Sequence, residues 1–469
     1  MSKIILVNPN YFEQIYGHAM VRAGTTRGLF NLGLLCIAAP LLKAGHSVKL
    51  VDLNVDNKSN DYLADVLREF HADFVGITAT TPLIKSAYAI AAVVKSFDPS
   101  IKVITGGPHS TAMPEAVLNE SVVDCVVTGE GDLILKQVVE EGFSPSIPNL
   151  YYKDGCKIIA SKDQGHFIAN LNDLPFPSYD LLDSSKYSQS PLLVEKNPVA
   201  YLETSRGCYA KCSFCNKNIH GYKMRMKTPG RVVDEIEHFL GNGFREIHFI
   251  DDNFTADLRR AGAICEEILR RGLRFPWVPR GGLRVDRVTP ELLSLMKKAG
   301  CHRAPFGVES GSQRIIDSFG KMTTLDQARN AVKWAKQAGL ETEAYFMIGL
   351  PGETEQDLEK TIQFAVELDP DFVKFATAIP LPGTTMFETM EKNGHIKTRD
   401  WEKYDFAASP RELYTHDSLS WEVLDSYSKK AYKAFYFRPL YILKTIWKTT
   451  WNGHIFDHIR GFMSTNWRG

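Results

Sequence analysis

Short apolar runs alternate with longer amphipathic stretches along the first 145 residues. The runs have the length of buried strands, and the stretches between them repeat apolar positions at helical spacing. Such alternation predicts a doubly wound parallel α/β sheet, which binds ligands at the carboxyl ends of its strands. The predicted strands are Ile4–Val7, Val48–Asp52, Phe74–Thr78, Lys102–Thr105 and Asp124–Val127, and the predicted helices cover about 31–45, 60–71, 83–97 and 132–141.

A second alternation begins at residue 199, after a segment of different character. Residues 146–198 include the proline-rich and aromatic stretch 172–180, which predicts an ordered linker strap between two domains. Six strand–helix units then follow to about residue 400. The predicted strands are Val199–Glu203, Glu246–Ile250, Phe275–Pro279, Ala304–Val308, Glu343–Ile348 and Phe372–Ala378, and the predicted helices cover about 230–242, 257–271, 290–299, 312–318, 325–338 and 355–368.

Composition narrows the class of protein. The 469 residues suffice for two or three domains, and 55 basic residues balance 55 acidic ones, so we expect no nucleic-acid partner. The first residues lead directly into a strand, so we expect no signal peptide. No apolar run approaches the roughly 20 residues of a transmembrane helix. Eight cysteines in this length do not indicate a disulfide framework, and we predict a reducing, cytoplasmic location.

Three cysteines lie within eight residues, with C-x3-C-x2-C spacing: Cys208, Cys212 and Cys215. Thiolates at this density hold iron–sulfur clusters or zinc. A four-iron cluster on three thiolates has one open iron, which can bind a further ligand and carry chemistry. Structural zinc would need a fourth ligand, for which His220 is the nearest candidate.

Together with strand-end segments farther along the chain, this cysteine motif resembles that of the radical S-adenosylmethionine (SAM) enzymes. The resemblance implies a partial (β/α)6 barrel over residues 199–400 and a [4Fe–4S] cluster on the three cysteines. It also implies that SAM binds the open iron and is cleaved by one electron to a 5′-deoxyadenosyl radical. The segments are Phe-Ile-Asp-Asp-Asn-Phe at 249–254, Gly-Val-Glu-Ser-Gly-Ser at 307–312, Met-Ile-Gly-Leu-Pro-Gly-Glu-Thr at 347–354 and Pro-Leu-Pro-Gly-Thr at 380–384.

The same resemblance implies a set of SAM contacts at the strand ends. The adenine contacts are Phe214, Ile348, Gly349 and Leu381, and Glu309 with Ser310 serves the ribose. Asp252 or Asp251 would bind the amino group, and Arg280, in preference to Arg284, would pair with the carboxylate.

Residues 1–145 resemble the cobalamin-binding domain that precedes many radical SAM barrels. The resemblance rests on Gly-Gly-Pro-His at 106–109, on Pro-Glu at 114–115 and on the run 124–131. It implies cobalamin contacts from Asn8, Asp52, Thr78, Thr80, Gly106, Gly107, Pro108, Gly129 and Glu130. The chain lacks the Asp-x-His-x-x-Gly motif that supplies a histidine to cobalt in other cobalamin proteins. The alternative is a degenerate domain that keeps the fold without the cofactor.

The C-terminal segment, 401–469, departs from the barrel pattern and is predicted to be a helical cap. From residue 429 it holds eight Lys and Arg residues and one acid, Asp457. An apolar stripe of Tyr436, Leu440, Leu443, Trp447 and Trp451 predicts a basic amphipathic helix. Such a helix either packs on the barrel as a lid or lies at the inner face of a membrane as a peripheral contact.

The resemblance implies a cobalamin-dependent radical SAM enzyme that modifies an unactivated carbon of a lipophilic small molecule. C-methylation through methylcobalamin is the first expectation. The alternatives are anaerobic oxidative cyclisation, hydroxylation or rearrangement with the same cofactors, or radical chemistry without cobalamin. The tail, with Phe-Tyr-Phe-Arg-Pro at 435–439, resembles the subgroup of anaerobic magnesium-protoporphyrin monomethyl ester cyclases and hopanoid-modifying enzymes. An electron donor such as flavodoxin or ferredoxin is also implied.

Overall fold

The first sheet has seven strands in the order β2-β1-β3-β4-β5-β6-β7. The computed structural model describes residues 1–10, 30–55, 60–405 and 409–451. Strands β1 to β5 are parallel, whereas β6 and β7 join antiparallel and continue the sheet past residue 145. The strands are β1 Lys3–Asn8, β2 Ser47–Asp52, β3 Phe74–Thr78, β4 Lys102–Gly106, β5 Cys125–Val127, β6 Leu150–Asp154 and β7 Lys157–Ala160.

Helices cover both faces of this sheet because its parallel strands are apolar throughout. Ile4, Ile5, Leu6 and Val7 of β1 are all at most 1% exposed. Asn31 begins the first described helix by accepting a hydrogen bond from the Leu34 amide at 3.2 Å. The helices are α1 Leu32–Lys43, α2 Asn60–Phe70, α3 Ile84–Phe97, α4 Pro108–Ala112, α5 Pro114–Glu120 and α6 Ile134–Glu141.

After the strap, parallel strands in chain order form a partial barrel with six positions, of which β12 and β13 together fill the third. One sheet has the order β12-β11-β8 and the other β13-β14-β15-β16, and the pair Trp277–Cys301 bridges them. The barrel strands are β8 Val199–Leu202, β11 Glu246–Phe249, β12 Trp277–Pro279, β13 Leu283–Arg284, β14 Arg303–Glu309, β15 Glu341–Ile348 and β16 Phe372–Thr377; a short antiparallel pair, β9 Ser205–Arg206 and β10 Arg225–Met226, flanks the first of them.

The third barrel strand is split by Gly281 and Gly282, between β12 and β13. A Cβ atom at Gly281 would lie 2.1 Å from the Asp251 carbonyl oxygen, so only glycine allows the neighbouring loop to approach this closely. The turn that follows carries Gly282 at φ +90°. The split therefore brings the ends of β11 and β12 into direct contact at the rim of the barrel.

The barrel helices begin at residues whose side chains cap them. Thr228, Asp257, Thr289, Thr324 and Thr354 each accept a hydrogen bond from an amide three residues on. The helices are α7 Pro229–Gly241, α8 Leu258–Arg270, α9 Pro290–Lys298, α10 Gln313–Ser318, α11 Leu325–Gln337, α12 Glu355–Leu368, α13 Thr385–Lys392, α14 Trp421–Tyr436 and α15 Pro439–Trp451.

The strap closes the amino-terminal end of the barrel. Glu246, at the start of β11, accepts hydrogen bonds from the amides of Glu195 at 2.7 Å and Lys196 at 2.8 Å. Arg303 donates to the Leu192 carbonyl at 2.9 Å. These contacts tie the strap to two strands, so the lumen has its floor here.

Tyrosines cover the free edge of the last barrel strand, β16. The Tyr432 hydroxyl accepts from the Phe375 amide at 3.2 Å and donates to its carbonyl at 3.0 Å. Tyr436 makes the same pair of bonds to Val373 at 3.0 and 2.7 Å. One helical turn separates the two tyrosines on α14, so the cap satisfies edge groups that water or another strand would otherwise take.

Helix α15 packs less closely than α14. Leu440 is 81% exposed, Leu443 64% and Trp447 72%, while the Tyr441 hydroxyl donates to the Asp371 carbonyl at 2.7 Å. The predicted stripe is therefore divided: Tyr436 packs on the barrel, and Leu440, Leu443 and Trp447 face outward. The side chain of Trp451 lies outside the described residues.

Candidate active site between the two domains

The cysteine loop follows β9 at the carboxyl end of the barrel and is held by its backbone. The Ser213 amide donates to the Phe319 carbonyl at 3.0 Å, and the Ser213 carbonyl accepts from the Met386 amide at 2.9 Å. The Cys208 amide donates to the Gly221 carbonyl at 3.2 Å, which closes the loop at its base. These bonds fix the loop from both sides of the rim.

Cations surround the three free thiols. Lys217 interacts with both Cys208 and Cys215. Burial raises the pKa of Cys212, and the nearby charges of Lys321 and Arg284 oppose that rise. Thiolate ligands need such positive neighbours, so the loop fits a [4Fe–4S] cluster.

His220, the fourth ligand that structural zinc would need, is occupied by two carboxylates. Its Nδ1 lies 3.1 Å from Asp252 Oδ2 and its Nε2 lies 3.4 Å from Glu203 Oε1. The zinc interpretation therefore has no support in the geometry of the loop.

The adjacent acids after β11 both hold the chain that leads to the cysteines. Asp251 is 2% exposed and accepts from the Thr204 amide at 2.6 Å and the Ser205 hydroxyl at 2.8 Å. Asp252 accepts from the Gly207 amide at 3.0 Å, one residue before Cys208. Burial raises the pKa of Asp251. Burial acts in the same direction on Asp252, but the hydrogen bond and charge of His220, together with the charge of Lys217 and the Gly207 amide, outweigh it and lower the pKa.

Asn253, the next residue, was missed from the sequence. It is 1% exposed, and neither atom of its carboxamide has a hydrogen-bond partner among the described residues. A buried, unsatisfied amide at a strand end fits a polar ligand group. Its place in the Asp-Asp-Asn run could have identified it, but only the two acids of that run were considered.

Glu309 and Lys321 form a buried ion pair beside the loop. Lys321 Nζ lies 2.5 Å from Glu309 Oε1 and donates to the Gly307 carbonyl at 2.7 Å. Glu309 has φ +70°, a strained left-handed conformation for a residue with a side chain. Lys321 is 5% exposed, and its ammonium neutralises the predicted ribose ligand.

The other predicted SAM contacts lie around the same rim, and their side chains differ in their packing and hydrogen-bond partners. Phe214 packs edge-on against Phe319, with ring centroids 5.2 Å apart. Ser310 is buried, and its hydroxyl lies 3.1 Å from that of Thr361. Arg280 turns toward the barrel lumen, with Nη1 3.4 Å from Glu343 Oε2. Arg284 instead bonds Asp286 at 2.9 Å.

The glycine-rich segment after β15 lies under the helical cap. Ile348 is 2% exposed, and the Gly349 amide donates to Glu353 at 2.7 Å. A Cβ atom at Gly349, whose φ is +82°, would lie 3.3 Å from the Tyr414 hydroxyl. Leu381 lies in the last segment, where Asn216 donates to the Pro382 carbonyl at 3.2 Å, so this segment contacts the cysteine loop.

A cavity of about 280 Å³ lies between the first sheet and the cysteine loop. Both domains contribute apolar and polar side chains to its lining, for example Leu6 and Asp132 from the first and Ile250 from the barrel. The predicted cobalamin contacts that line it are Thr78, Gly106, Gly107, Pro108, Gly129 and Glu130, and the barrel contributes Glu203, Arg206, Ile219, His220 and Ile250.

The strand ends around this cavity fit a large polar cofactor. Gly107 has φ +90° and its Cβ would lie 2.9 Å from the Thr78 hydroxyl, so glycine keeps the approach open. Four buried polar atoms near these strand ends lack partners among the described residues: the hydroxyls of Thr80, Thr105 and Ser110, and Nε2 of His109. Of these four residues Thr105 lines the cavity, so its hydroxyl is the one nearest to the amide and phosphate groups of a cofactor bound there.

Asn8 and Asp52 bond each other outside the cavity lining. The Asn8 amide donates to Asp52 at 3.1 Å, and the Tyr187 hydroxyl of the strap donates to the same carboxylate at 2.9 Å. Burial raises the pKa of Asp52 despite these bonds. The pair therefore anchors the ends of β1 and β2 to the strap.

Glu130 belongs to a buried ionic clamp between the domains. Arg206, two residues before Cys208, bonds both oxygens of Asp132 at 2.9 Å and Glu203 at 2.6 Å. Arg225 bonds Glu130 at 2.8 Å. The clamp joins the loop after β5 directly to the cysteine loop, so the two candidate cofactor sites share one set of charges.

Comparison with known proteins places the chain in a family. Residues 202–365 match the radical SAM superfamily and residues 23–139 match the B12 binding domain. The chain is 35% identical to an uncharacterised methyltransferase of Pyrococcus horikoshii, over 89% of this chain and 90% of that protein. It is 30% identical to the anaerobic magnesium-protoporphyrin IX monomethyl ester cyclase of Cereibacter sphaeroides, over 96% and 72%.

The fold agrees with a solved structure of the same kind. The cobalamin-dependent SAM radical enzyme OxsB, with aqua-cobalamin and SAM bound, superposes with a TM-score of 0.76 at 17% identity, covering 98% of this chain and 72% of that one. The chain belongs to the cobalamin-dependent radical SAM enzymes. The predicted fold, enzyme class and cofactors ([4Fe–4S], SAM and cobalamin) are thereby confirmed.

Proposed function

We propose that the protein methylates an unactivated carbon of a small molecule. The observation that carries this proposal is the shared cavity, because residues of both domains line it and Arg206 spans from Asp132 to the cysteine loop. When bound, the cluster and SAM supply a carbon radical and cobalamin supplies the methyl group. Such a transfer needs the two cofactor sites to adjoin, which is what the clamp enforces.

The chain's own residues then orient the cofactors and keep water out. Asp251 and Asp252 hold the backbone that carries the cysteines. Asn253, with its unsatisfied carboxamide, is our candidate for the polar end of SAM. The predicted roles of Phe214, Glu309 and Leu381 in SAM binding and of Gly106 and Gly129 in cobalamin binding remain part of the proposal.

The test uses the reduced holoenzyme, SAM with a deuterated methyl group and a small-molecule extract of the source organism. Methylation consumes two molecules of SAM, so 5′-deoxyadenosine and S-adenosylhomocysteine should form in equal amounts. A product that has gained a trideuteromethyl group should appear in the same reaction. Formation of 5′-deoxyadenosine without S-adenosylhomocysteine would reject methylation.

That second outcome would favour oxidative cyclisation, hydroxylation or rearrangement. The similarity to the magnesium-protoporphyrin cyclase over 96% of this chain is the observation that supports this candidate. It predicts an unlabelled product that has lost hydrogen, gained oxygen or, after rearrangement, kept the composition of the substrate. The two candidates therefore differ in whether S-adenosylhomocysteine and a product with a trideuteromethyl group are formed.

A lipophilic substrate and a membrane contact form a further part of the proposal. Leu440, Leu443 and Trp447 are exposed on α15 beside Lys444, a combination that suits an anionic lipid surface. No helix in the described part of the chain is long and apolar enough to cross a membrane. Co-sedimentation with anionic but not zwitterionic vesicles, lost in Leu443→Ser, would support the contact. A reductant such as flavodoxin or ferredoxin, and a cytoplasmic location, stay predictions.

A further inference from the structure

The connection between α10 and α11 lies alongside the cysteine loop. The Phe319 carbonyl accepts a hydrogen bond from the Ser213 amide at 3.0 Å. A Cβ atom at Gly320, whose φ is +75°, would lie 3.0 Å from the Lys211 carbonyl oxygen, so the two backbones approach closely there. Lys211 and Ser213 flank Cys212. The connection is therefore held against the loop on both sides of one predicted cluster ligand.

Lys321, the next residue, turns inward and pairs with Glu309. Its Nζ lies 2.5 Å from Glu309 Oε1 and donates to the Gly307 carbonyl at 2.7 Å. Its own carbonyl accepts from Arg284 at 2.8 Å, which holds the backbone at this point. A Cβ atom at Gly307 would lie 2.6 Å from Glu309 Oε1 and 2.8 Å from Lys321 Nζ, so a side chain there would displace both charged groups. The end of β14 thus leaves room for this ion pair.

The backbone is strained on both sides of the pair. Glu309 has φ +70° and Met322, which follows Lys321, has φ +57°, left-handed values that residues with side chains rarely adopt. The Met322 side chain is 65% exposed, so its own packing does not require this conformation. The register of β14 also shifts between Gly307 and Glu309. Strain of this kind is concentrated at functional sites, which indicates that the position of the pair serves a function.

The ion pair leaves one oxygen of Glu309 available to a ligand. Among the described residues, Oε1 accepts from Lys321, whereas Oε2 accepts no hydrogen bond. A single carboxylate oxygen has two lone pairs and can accept from both hydroxyls of a vicinal diol. The Phe214 ring, a predicted adenine contact, packs against Phe319 of the same connection, with ring centroids 5.2 Å apart. One short connection thus joins the predicted adenine contact to the available oxygen, as adenine and ribose are joined in SAM.

The role that fits the pair is orientation of the Glu309 carboxylate. A buried ion pair adds little net stability, because both charges lose their hydration. We propose that Lys321 is a positioning residue that fixes Glu309 for the two ribose hydroxyls of SAM and thereby sets the preference for a nucleoside that carries both. This inference rests on the proposed function, because it concerns how that reaction binds SAM. Lys321 acts through Glu309 and needs no contact with SAM.

The experiment compares SAM with its 2′,3′-dideoxy analogue, which lacks both ribose hydroxyls. Equilibrium dialysis uses the reconstituted holoenzyme with its cluster oxidised, so that SAM is not cleaved. The wild type should bind SAM about tenfold or more tightly than the analogue, because the hydroxyls donate to a charged acceptor. Lys321→Met should bind SAM about tenfold more weakly and the analogue as the wild type does. Lys321→Arg should keep most of the preference, because a guanidinium also holds a carboxylate.

Two controls separate positioning from a general loss of structure. Lys298→Met removes an exposed lysine at the end of α9 and should leave both affinities unchanged. Lys321→Met/Glu309→Ala should bind SAM no more weakly than Glu309→Ala, because the lysine acts only through the carboxylate. Equal weakening of SAM and the analogue in Lys321→Met, or an unchanged preference for SAM, would overturn the inference.

Failure of this inference is separable from failure of the proposed function. A preference that is lost in Glu309→Ala and kept in Lys321→Met would overturn the positioning role alone. A wild type without any preference would overturn the ribose role of Glu309 as well. Absence of S-adenosylhomocysteine in the reduced wild type would reject methylation and leave the measured affinities standing.

Discussion

The rim and the lumen of the barrel both carry charged side chains but use them differently. At the rim, Asp251, Asp252 and Arg206 are matched by backbone amides, hydroxyls or opposite charges. Inside the barrel, on β11, His248 Nδ1 is buried and has no hydrogen-bond partner among the described residues. The difference indicates that rim charges position the cofactor loops, whereas a strand inside the barrel leaves one buried polar atom unsatisfied.

The largest effect should follow from removing a rim acid. Asp251→Ala leaves the Thr204 amide and the hydroxyls of Thr204 and Ser205 unsatisfied in a buried place, at a cost of about 5 kcal/mol. The loop should then fail to hold its cluster, and iron per chain should fall to background. Asp257→Ala, which removes the exposed cap of α8, should cost only about 1 kcal/mol and keep the iron.

Breaking the clamp between the domains should have the next largest effect. Arg206→Met leaves Asp132 and Glu203 buried without their cation. Removing one partner of a buried ion pair lowers the free energy of unfolding by about 3–5 kcal/mol. Cobalt retained after desalting should fall more than iron. In the double variant Arg206→Met/Asp132→Leu the loss of stability should be smaller than the sum of the single losses; additive losses would contradict a direct interaction.

Glu353 sharpens the comparison, because it is a rim acid without a matching cation. Burial raises its pKa to about 8, against hydrogen bonds from the Gly349 and Leu350 amides. An acid with a raised folded pKa stabilises the fold below its unfolded pKa of 4.5, and this stability is lost as pH rises to about 8. At pH 8, Glu353→Gln should therefore be more stable than the wild type by about 4 kcal/mol.

Thermal unfolding at pH 5 and pH 8 checks this prediction. The difference between Glu353→Gln and the wild type should be near zero at pH 5 and should appear by pH 8. A difference of equal size at both pH values would show that the carboxyl does not titrate in this range.

The smallest effect should come from the edge of the lumen. Tyr436→Phe removes the hydroxyl that pairs with Val373, at a cost of about 1–2 kcal/mol. Hydrogen exchange should speed up at the Val373 amide and stay slow at Phe375. Tyr432→Phe should show the reverse pattern, and faster exchange at both amides in either variant would mean that α14 detaches as a unit.

Much of the fold could be predicted because it follows local patterns. The predicted strand Phe74–Thr78 and the predicted helix 355–368 coincide with β3 and α12. The hairpin of β6 and β7 and the split between β12 and β13 could not be predicted, because each depends on tertiary partners. Gly281, for example, is explained only by its approach to the Asp251 carbonyl.

The chemistry of the site was predictable from the sequence, but the hydrogen-bond partners of its side chains were not. The cysteine spacing indicated a cluster, and the strand-end segments indicated where SAM lies. Nothing near Asp251 in the chain reveals that Thr204, 47 positions earlier, occupies its carboxylate.

The most direct test of the account is the metal content of the anaerobically reconstituted chain. Protein loaded with iron, sulfide and hydroxocobalamin is desalted, and iron and cobalt are measured in the wild type and in Cys212→Ala. We expect about four irons and one cobalt per wild-type chain, and cobalt without the cluster in the variant. Four irons without cobalt in the wild type, or an intact cluster in Cys212→Ala, would contradict the account.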